Sequence, residues 1–227
     1  MYRPLVLLLG LLVAACAGPD ADLQDGAAVT VFEGARLLTG DGQIIDDAVF
    51  VVAGDEFSAV GSADQVEIPR GATRVDLSGR TVIPALVNAH IHLSNDREER
   101  AEQLRHMAYY GAGTVVSAGH DESDAALEMR GSSVSDCARS YTAGRGITTP
   151  EPGRSEVPFW VTTTDEARAA VRELASQDVD IVKIWVDDRG GQYERLSPEL
   201  YGAVIDEAHQ HDLEVTAHIF HLEDAKG

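Results

Sequence analysis

The chain has 227 residues, and with 18 basic and 38 acidic side chains its formal net charge is −20. So acidic a surface excludes binding to nucleic acid or to an anionic membrane through a basic face. The hydrophobic share of 44% is that of an ordinary globular protein, so we expect a packed core.

Residues 1–16 are typical of an export signal rather than of a folded element. Arg3 precedes an apolar run over Leu5–Val13, which is too short to span a bilayer. The run ends in Val13-Ala14-Ala15-Cys16, which resembles the lipobox of bacterial lipoprotein signal peptides. This resemblance implies cleavage before Cys16 and acylation of its thiol. The alternative is an ordinary secretory signal that contains a cysteine. We therefore expect an exported lipoprotein, periplasmic or at the cell surface, that meets the membrane through its lipid anchor only.

Residues 17–28 are small, polar and acidic, and they indicate a tether. Over residues 29–81 short β-rich runs alternate with glycines. This texture predicts tight turns between strands, and we interpret it as the N-terminal part of a small β-sandwich. The predicted strands are Val29–Phe32, Ala48–Ala53, Phe57–Val60 and Arg74–Leu77.

From residue 82 to residue 227 apolar strands alternate with helical patterns. The predicted strands are Val82–His92, Gly113–Ala118, Arg139–Ala143, Ile181–Val186 and Leu213–Phe220, and the predicted helices are Glu98–Tyr110, Ala125–Met129, Thr164–Ser176 and Ser197–His209. Repeated βα units predict a parallel sheet of the α/β class. We expect a (β/α)₈ TIM barrel of which only about five strands are present. The sequence would then be an N-terminal fragment that is inactive by itself.

His90 and His92 lie at the end of the first predicted barrel strand. Residues two apart on a strand point to the same face, so both imidazoles could reach one metal ion. Active sites of (β/α)₈ barrels lie at the carboxyl ends of the strands. This position favours two metal-binding histidines over two structural histidines.

The stretch from Gly34 to His92 resembles the amidohydrolase superfamily, most closely its imidazolonepropionase-like and prolidase-like branch. The matching runs are Gly34-Ala35-Arg36-Leu37-Leu38, Asp41-Gly42 and Val75-Asp76-Leu77-Ser78-Gly79-Arg80-Thr81-Val82-Ile83-Pro84 before the two histidines. Ala85 and Asn88 depart from the family's usual Gly and Asp. The resemblance implies a β-sandwich wrapped around a metal-bearing barrel.

Lys183 lies within the apolar fourth barrel strand, where a lysine is costly to bury unless it is paired or neutralised. A lysine at a strand end with its ammonium in water is the alternative. The family resemblance implies that Lys183 reacts with CO₂ to form a carbamate that bridges two divalent ions, expected to be zinc. It also implies that His218, at the end of the fifth strand, is the third histidine ligand. In the family, a histidine and an aspartate on later strands complete the set.

Three further residues follow barrel strands and could contact the substrate. His120 ends the second strand, although a surface loop suits it as well. Tyr141 and Arg145 accompany the third strand. Arg145 could hold a substrate carboxylate, or it could be an ordinary loop arginine.

The resemblance implies a metal-dependent amidohydrolase that cleaves a C–N bond in an amide, dipeptide or cyclic amide with a metal-activated hydroxide. One alternative is a mononuclear, imidazolonepropionase-like ring-opening hydrolase. The other is a non-catalytic binding lipoprotein of the cell surface. The expected partner is a small-molecule substrate, and the protein could also form a homo-oligomer.

The lipobox generates a direct test. Replacing the acylated thiol, Cys16→Ser, should abolish labelling with a radioactive fatty acid and release the protein from the membrane fraction, because one covalent lipid would be the whole attachment. Cys137→Ser, which changes the chain's other cysteine, is the matched control and should leave both unchanged. Membrane association that survives Cys16→Ser would contradict the lipoprotein interpretation.

Overall fold

The computed structural model describes residues 28–131 and 134–226. The predicted signal peptide with Cys16, and the tether up to residue 27, lie outside these residues. The chain divides into two compact units at Pro84. None of the helices within the described ranges is both long and apolar enough to cross a membrane.

The first unit is a five-stranded sheet made of β1 (Val29–Leu38), β2 (Ile44–Ala53), β3 (Glu56–Ser62), β4 (Thr73–Asp76) and β5 (Thr81–Val82). The central strand β1 pairs antiparallel with β2 and parallel with both β4 and β5. Val31, Val49 and Val51 form its buried core, against which Val66 and Ile68 pack. The described residues of this unit form a single sheet, which is one layer of the predicted β-sandwich.

The predicted strand Val82–His92 is wrong as a single element. It is split between β5 in the first unit and β6 (Leu86–Ile91) in the second. Pro84 lies in the gap, where it has no amide hydrogen to donate to a neighbouring strand. The break leaves the histidine-bearing end of the strand with the second unit.

The second unit alternates parallel strands with helices, which confirms the predicted α/β class. After β6 come α1 (Arg97–Tyr109), β7 (Ala112–Ser117), α2 (Asp124–Glu128), β8 (Arg139–Thr142), β9 (Ile147–Thr148), β10 (Phe159–Trp160), α3 (Thr164–Ser176), β11 (Val182–Val186), α4 (Pro198–Gln210) and β12 (Val215–Ile219). The strands form two parallel sheets with the orders β6-β7-β8 and β10-β9-β11-β12. The two short strands β9 and β10 had not been predicted.

Helix α3 shows why the local sequence folds as predicted. Thr163 and Glu166 form a reciprocal capping box at the start of this helix. Ala167, Val171 and Leu174 are buried on one face, against the core that also holds Val182 and Ile184 of β11. This packing fixes β11, and with it Lys183, in the sheet.

A fully buried ion pair joins the ends of the first three strands of this unit. Arg100 of α1 donates to Asp121, at 2.9 and 3.3 Å, and neither side chain is exposed. Asp121 also accepts hydrogen bonds from Ser117 at 2.9 Å and from Thr142. Because β7 ends at Ser117 and β8 at Thr142, one carboxylate ties two strand ends to helix α1.

The same network reaches the segment after β6. Ser117 Oγ accepts a hydrogen bond from the Leu93 amide at 3.2 Å, and Arg100 donates to the Ser94 carbonyl at 3.2 Å. The backbone next to His92 is therefore held by the network around Asp121.

Asp121→Asn should strongly destabilise the fold, because it leaves the Arg100 guanidinium buried without a counter-charge. Breaking one partner of a buried pair costs about 3–5 kcal/mol in the free energy of unfolding. Urea unfolding of the whole protein measures the loss. Asp212→Asn, the same change at an exposed turn with a φ of 57° that Asn tolerates, is the control. A loss at Asp121 no larger than in the control would contradict the role given to this ion pair.

Candidate functional site

His90 and His92 lie side by side at the carboxyl end of β6. Their ring centroids are 5.3 Å apart with the planes at 84°. The Asn88 side chain accepts a hydrogen bond from the His90 amide at 3.2 Å, which shapes the strand end. Partial burial, with smaller contributions from neighbouring charges, lowers the pKa of His92 to about 4, and burial with the charge of Lys183 lowers the pKa of His90. Both imidazoles are therefore neutral at pH 7, the form that binds a metal ion.

Lys183 is buried in the middle of β11, with 1% of its surface exposed. Within the described part of the chain its ammonium makes no ion pair or hydrogen bond, and its Nζ lies 5.5 Å from the centroid of the Trp185 ring. Burial lowers the pKa of this lysine. A buried cation without a counter-charge is costly, so the neutral amine is favoured relative to a lysine in water.

His218 lies on β12, next to β11, with its backbone opposite Trp185 in the parallel register. Its Nε2 is buried and has no hydrogen-bond partner among the described residues. Asp187 Oδ2 lies 3.4 Å away, which is ion-pair distance without hydrogen-bond geometry. Burial is the main cause that lowers the pKa of His218. An unpartnered, buried and neutral imidazole nitrogen has the chemistry of a metal ligand.

The charge of Lys183 connects these groups, since it contributes to lowering the pKa of His90, His92 and His218 alike. No three His, Cys, Asp or Glu side chains in the described ranges come close enough to hold a metal ion by themselves.

His120 and Trp185 form an aromatic wall beside the histidine pair. The His120 ring lies 4.7 Å from that of His92 and 5.3 Å from that of Trp185, measured between centroids. Burial and the nearby charge of Arg154 lower the pKa of His120. Sequence analysis predicted that His120 ends the second barrel strand, and the structure places its ring beside that of His92.

Two glycines make room for this wall. A Cβ at Gly146 would lie 2.0 Å from the Trp185 ring, and one at Gly119 would lie 2.7 Å from that ring and 2.8 Å from Lys183 Cγ. The indole and the lysine stem can only pack here because both positions lack a side chain.

The structure places the other two predicted substrate contacts differently. Tyr141 is half-buried within β8, opposite Val116 of β7. Arg145 donates its Nε to the Val157 carbonyl, and its guanidinium lies over the Phe159 ring at 4.0 Å from the centroid. The Arg145 guanidinium is thus engaged with protein groups.

Sequence analysis missed a charged cluster after β11. Asp187 and Arg189 follow this strand, and Arg189 contacts both Asp187 and Glu151, which lies in the loop after β9. All three side chains are buried or nearly so, and Asp187 also approaches His218. Polar residues directly after a buried parallel strand are the signal that could have found Asp187 and Arg189. Glu151 is brought in only by the fold.

Curated sequence relatives bear the name imidazolonepropionase. The protein of Streptomyces avermitilis is 34% identical over 144 residues, which are 61% of this chain and 32% of the relative. That of Streptomyces coelicolor is 33% identical over 151 residues, 60% of this chain and 36% of the relative. The match thus covers about a third of the length of these relatives. No protein-family model matches the chain.

Solved structures are similar over most of the chain. A candidate prolidase from Bifidobacterium longum is 26% identical with a TM-score of 0.77, covering 88% of this chain and 51% of that one. A Xaa-Pro dipeptidase with bound methionine is 22% identical with a TM-score of 0.71, covering 88% of this chain and 58% of that one. The second likeness, at its lower identity, shows the fold alone.

Gly146→Ala should disrupt the site, because its Cβ collides with the Trp185 indole. We expect a loss of about 1–3 kcal/mol in the free energy of unfolding, typical of overpacking, and a changed tryptophan emission spectrum. Gly202→Ala is the matched control, since a Cβ there meets nothing within 4 Å. That change lies within α4 and should be neutral or stabilise by up to about 1 kcal/mol. Equal behaviour of the two variants would contradict the packing described here.

Proposed function

The chain belongs to the amidohydrolase superfamily, and on this basis we propose that the whole protein is a metal-dependent hydrolase that cleaves a C–N bond in an amide, dipeptide or cyclic amide. The observation that carries the proposal is Lys183, a buried lysine with no ion pair among the described residues, on the strand that pairs with the strand of His218. The small-molecule substrate would enter at the carboxyl ends of the parallel strands.

The donor set suits a divalent metal such as zinc. Imidazole nitrogens and anionic oxygens are the ligands that zinc takes in catalytic sites. His90, His92 and His218 supply the nitrogens, and their lowered pKa values mean that no proton has to be displaced at pH 7. The unpartnered Nε2 of His218 is an independent argument for a ligand at this place.

We propose that Lys183 supplies the anionic oxygens as a carbamate. Its neutral amine attacks CO₂ and a bond forms between Nζ and the carbon, while the electron pair of one C=O π bond moves to its oxygen. One N–H bond then breaks, and its proton is released to water. The product is an anion with two oxygens where a cation was, so it removes the unpaired positive charge. Burial supports this step because it lowers the pKa of the lysine and raises the share of free amine.

The residues of this chain would then divide the work. His90, His92, His218 and modified Lys183 hold the metal, and the wall of His120 and Trp185 limits the space beside it. Two divalent ions, when bound, supply Lewis acidity toward the scissile carbonyl and lower the pKa of a water molecule.

A mononuclear hydrolase is the second candidate within enzymes. Its support is the name of the sequence relatives, imidazolonepropionase, at 32–34% identity. A carbamate on the buried Lys183 favours two metal ions, because its two oxygens could bind one ion each. A non-catalytic binding lipoprotein is the third candidate, and the buried His218 Nε2, which has no hydrogen-bond partner among the described residues, speaks against it.

We further propose that the protein acts outside the cytoplasm, anchored through acylated Cys16 in the periplasm or on the cell surface. The support is the apolar run and the small residues before Cys16. A homo-oligomer is compatible with this location.

Lys183→Ala should lose most of the bound metal and activity, because it removes the proposed bridge. In the whole protein, metal analysis should give about two divalent ions per chain for the wild type and fewer than one for the variant. Wild-type protein incubated with ¹³CO₂ should show a carbamate resonance in its NMR spectrum, which the variant lacks.

Lys226→Ala is the matched control, since Lys226 is the chain's other lysine and is exposed. It should keep metal, activity and the carbamate resonance. One ion per chain, together with an active Lys183→Ala variant, would refute the bridge and favour the mononuclear candidate.

A further inference from the structure

The ends of β11 and β12 bring the Asp187 carboxylate to the His218 imidazole. Lys183, Trp185 and Asp187 follow one another at intervals of two residues, and the residues between them are buried in the apolar core of this unit. The three side chains therefore share the other face of the sheet. His218 lies opposite Trp185 in the parallel register, so it shares this face too. Asp187 Oδ2 lies 3.4 Å from His218 Nε2.

The distance between these two atoms is that of two ligands of one metal ion. Nε2 of His218 is buried and makes no hydrogen bond with any residue that the structure describes, so it is not joined to Asp187 by one. Two atoms that bind one tetrahedral zinc ion at about 2.0–2.1 Å lie about 3.3–3.4 Å apart. The observed separation of 3.4 Å agrees with this value. The pair therefore offers one nitrogen and one oxygen at the spacing that a divalent ion requires.

Arg189 fixes the Asp187 carboxylate in place. The Arg189 amide donates to Oδ1 at 2.9 Å, and its Nη1 donates to Oδ2. Its Nε donates to Glu151 at 3.0 Å, which holds the guanidinium from a second side. Each carboxylate oxygen has two acceptor positions, so Oδ2 keeps one position for a further partner. Carboxylates that bind metal ions are typically hydrogen-bonded in this way.

A second pair of an aspartate and a histidine in the same two loops lacks these properties. Asp188 Oδ2 lies 3.7 Å from His221 Nε2, and the two side chains are 31% and 44% exposed, whereas the side chain of Asp187 is 4% exposed. Asp188 accepts hydrogen bonds from the amides of Gly190 and Gly191 at 2.9 and 3.2 Å, so its role is to close a turn. Asp188 is therefore an internal comparison for Asp187.

We propose that Asp187 Oδ2 and His218 Nε2 bind the same divalent ion, which makes Asp187 a metal ligand that the family resemblance does not supply. This proposal rests on the proposed function, because the ion is one of those of the proposed hydrolase. Lys183 lies on the same face of the sheet, four residues before Asp187. A carbamate oxygen of Lys183 would add a third donor, and one nitrogen with two anionic oxygens is a set that zinc accepts.

The first test titrates the whole protein with cobalt(II) in the absence of substrate. Wild type should bind about two ions per chain. Asp187→Asn keeps the size of the side chain and a hydrogen-bond acceptor, and it should weaken the binding of one ion by more than about 100-fold. The loss of a group that only orients a ligand costs about 10- to 100-fold, so a loss of about 100-fold or less would overturn the proposal. Asp188→Asn is the matched control and should keep both ions.

A thiolate at position 187 gives a direct signature of metal binding. Asp187→Cys places a sulfur in this position, and cobalt(II) bound to a thiolate shows a sulfur-to-metal charge-transfer band in the near ultraviolet. We expect this band in Asp187→Cys, but neither in Asp187→Ser, which lacks the sulfur, nor in wild type, which retains Cys137. A residue that only orients His218 would give no band, so cobalt binding by Asp187→Cys without the band would overturn the proposal. If this variant does not fold, the loss measured in Asp187→Asn decides.

These measurements need no turnover, so this proposal and the proposed function can fail separately. If the band and the loss of affinity appear but wild type hydrolyses no C–N bond, the hydrolase is refuted and Asp187 stands as a metal ligand. If wild type is an active hydrolase and Asp187→Asn keeps both ions, Asp187 is refuted as a ligand and the hydrolase stands. A wild type that binds no cobalt(II) would refute both.

Discussion

The second unit depends on the buried ion pair between Arg100 and Asp121. Moving two charges out of water is costly, and the cost is offset only when their remaining hydrogen-bonding positions are filled. Ser117 and Thr142 fill those of Asp121, and the Ser94 carbonyl takes one of those of Arg100. All of these groups lie at or just after strand ends, so the hydrogen bonds of the pair hold the ends of β6, β7 and β8 together, although Arg100 Nε has no partner among the described residues. The histidine pair inherits its position from that constraint.

Lys183 is the opposite case in the same unit. Arg100 is buried in an ion pair with Asp121, whereas Lys183 is buried with its Nζ 5.5 Å from the centroid of the Trp185 ring and with no ion pair among the described residues. Burying an uncompensated cation opposes folding, and a lysine, unlike an arginine, can escape by losing its proton. The fold thus buries an arginine whose charge is paired and a lysine whose charge is not, and the second is what the proposed carbamate requires. This contrast is the strongest physical argument for chemistry at β11, since a structural role would be better served by an apolar side chain.

Elements with strong periodicity could be predicted from the sequence, and elements defined by tertiary contacts could not. Helix α3 has the predicted bounds because its apolar face repeats at helical spacing. Strand β1 was predicted to end at Phe32 but runs to Leu38, because Gly34 makes a bulge instead of a turn. Its φ of +79° and its close approach to Ser78 explain why glycine stands there. Strands of two residues, such as β9, contain no period to detect.

The site shows the same division. His90 and His92 could be found because their spacing matches the period of a strand. Their place at the edge of the sheet could be predicted because the strand ends there. The partners of the charged groups could not be found in this way. Arg145 and Arg189 both follow strands, but Arg145 is engaged by Val157 and Phe159, while Arg189 holds Asp187 and Glu151. Glu151 is 38 residues away along the chain from Arg189. Sequence position brings a side chain to the site, and only the fold decides which of its polar atoms are already paired.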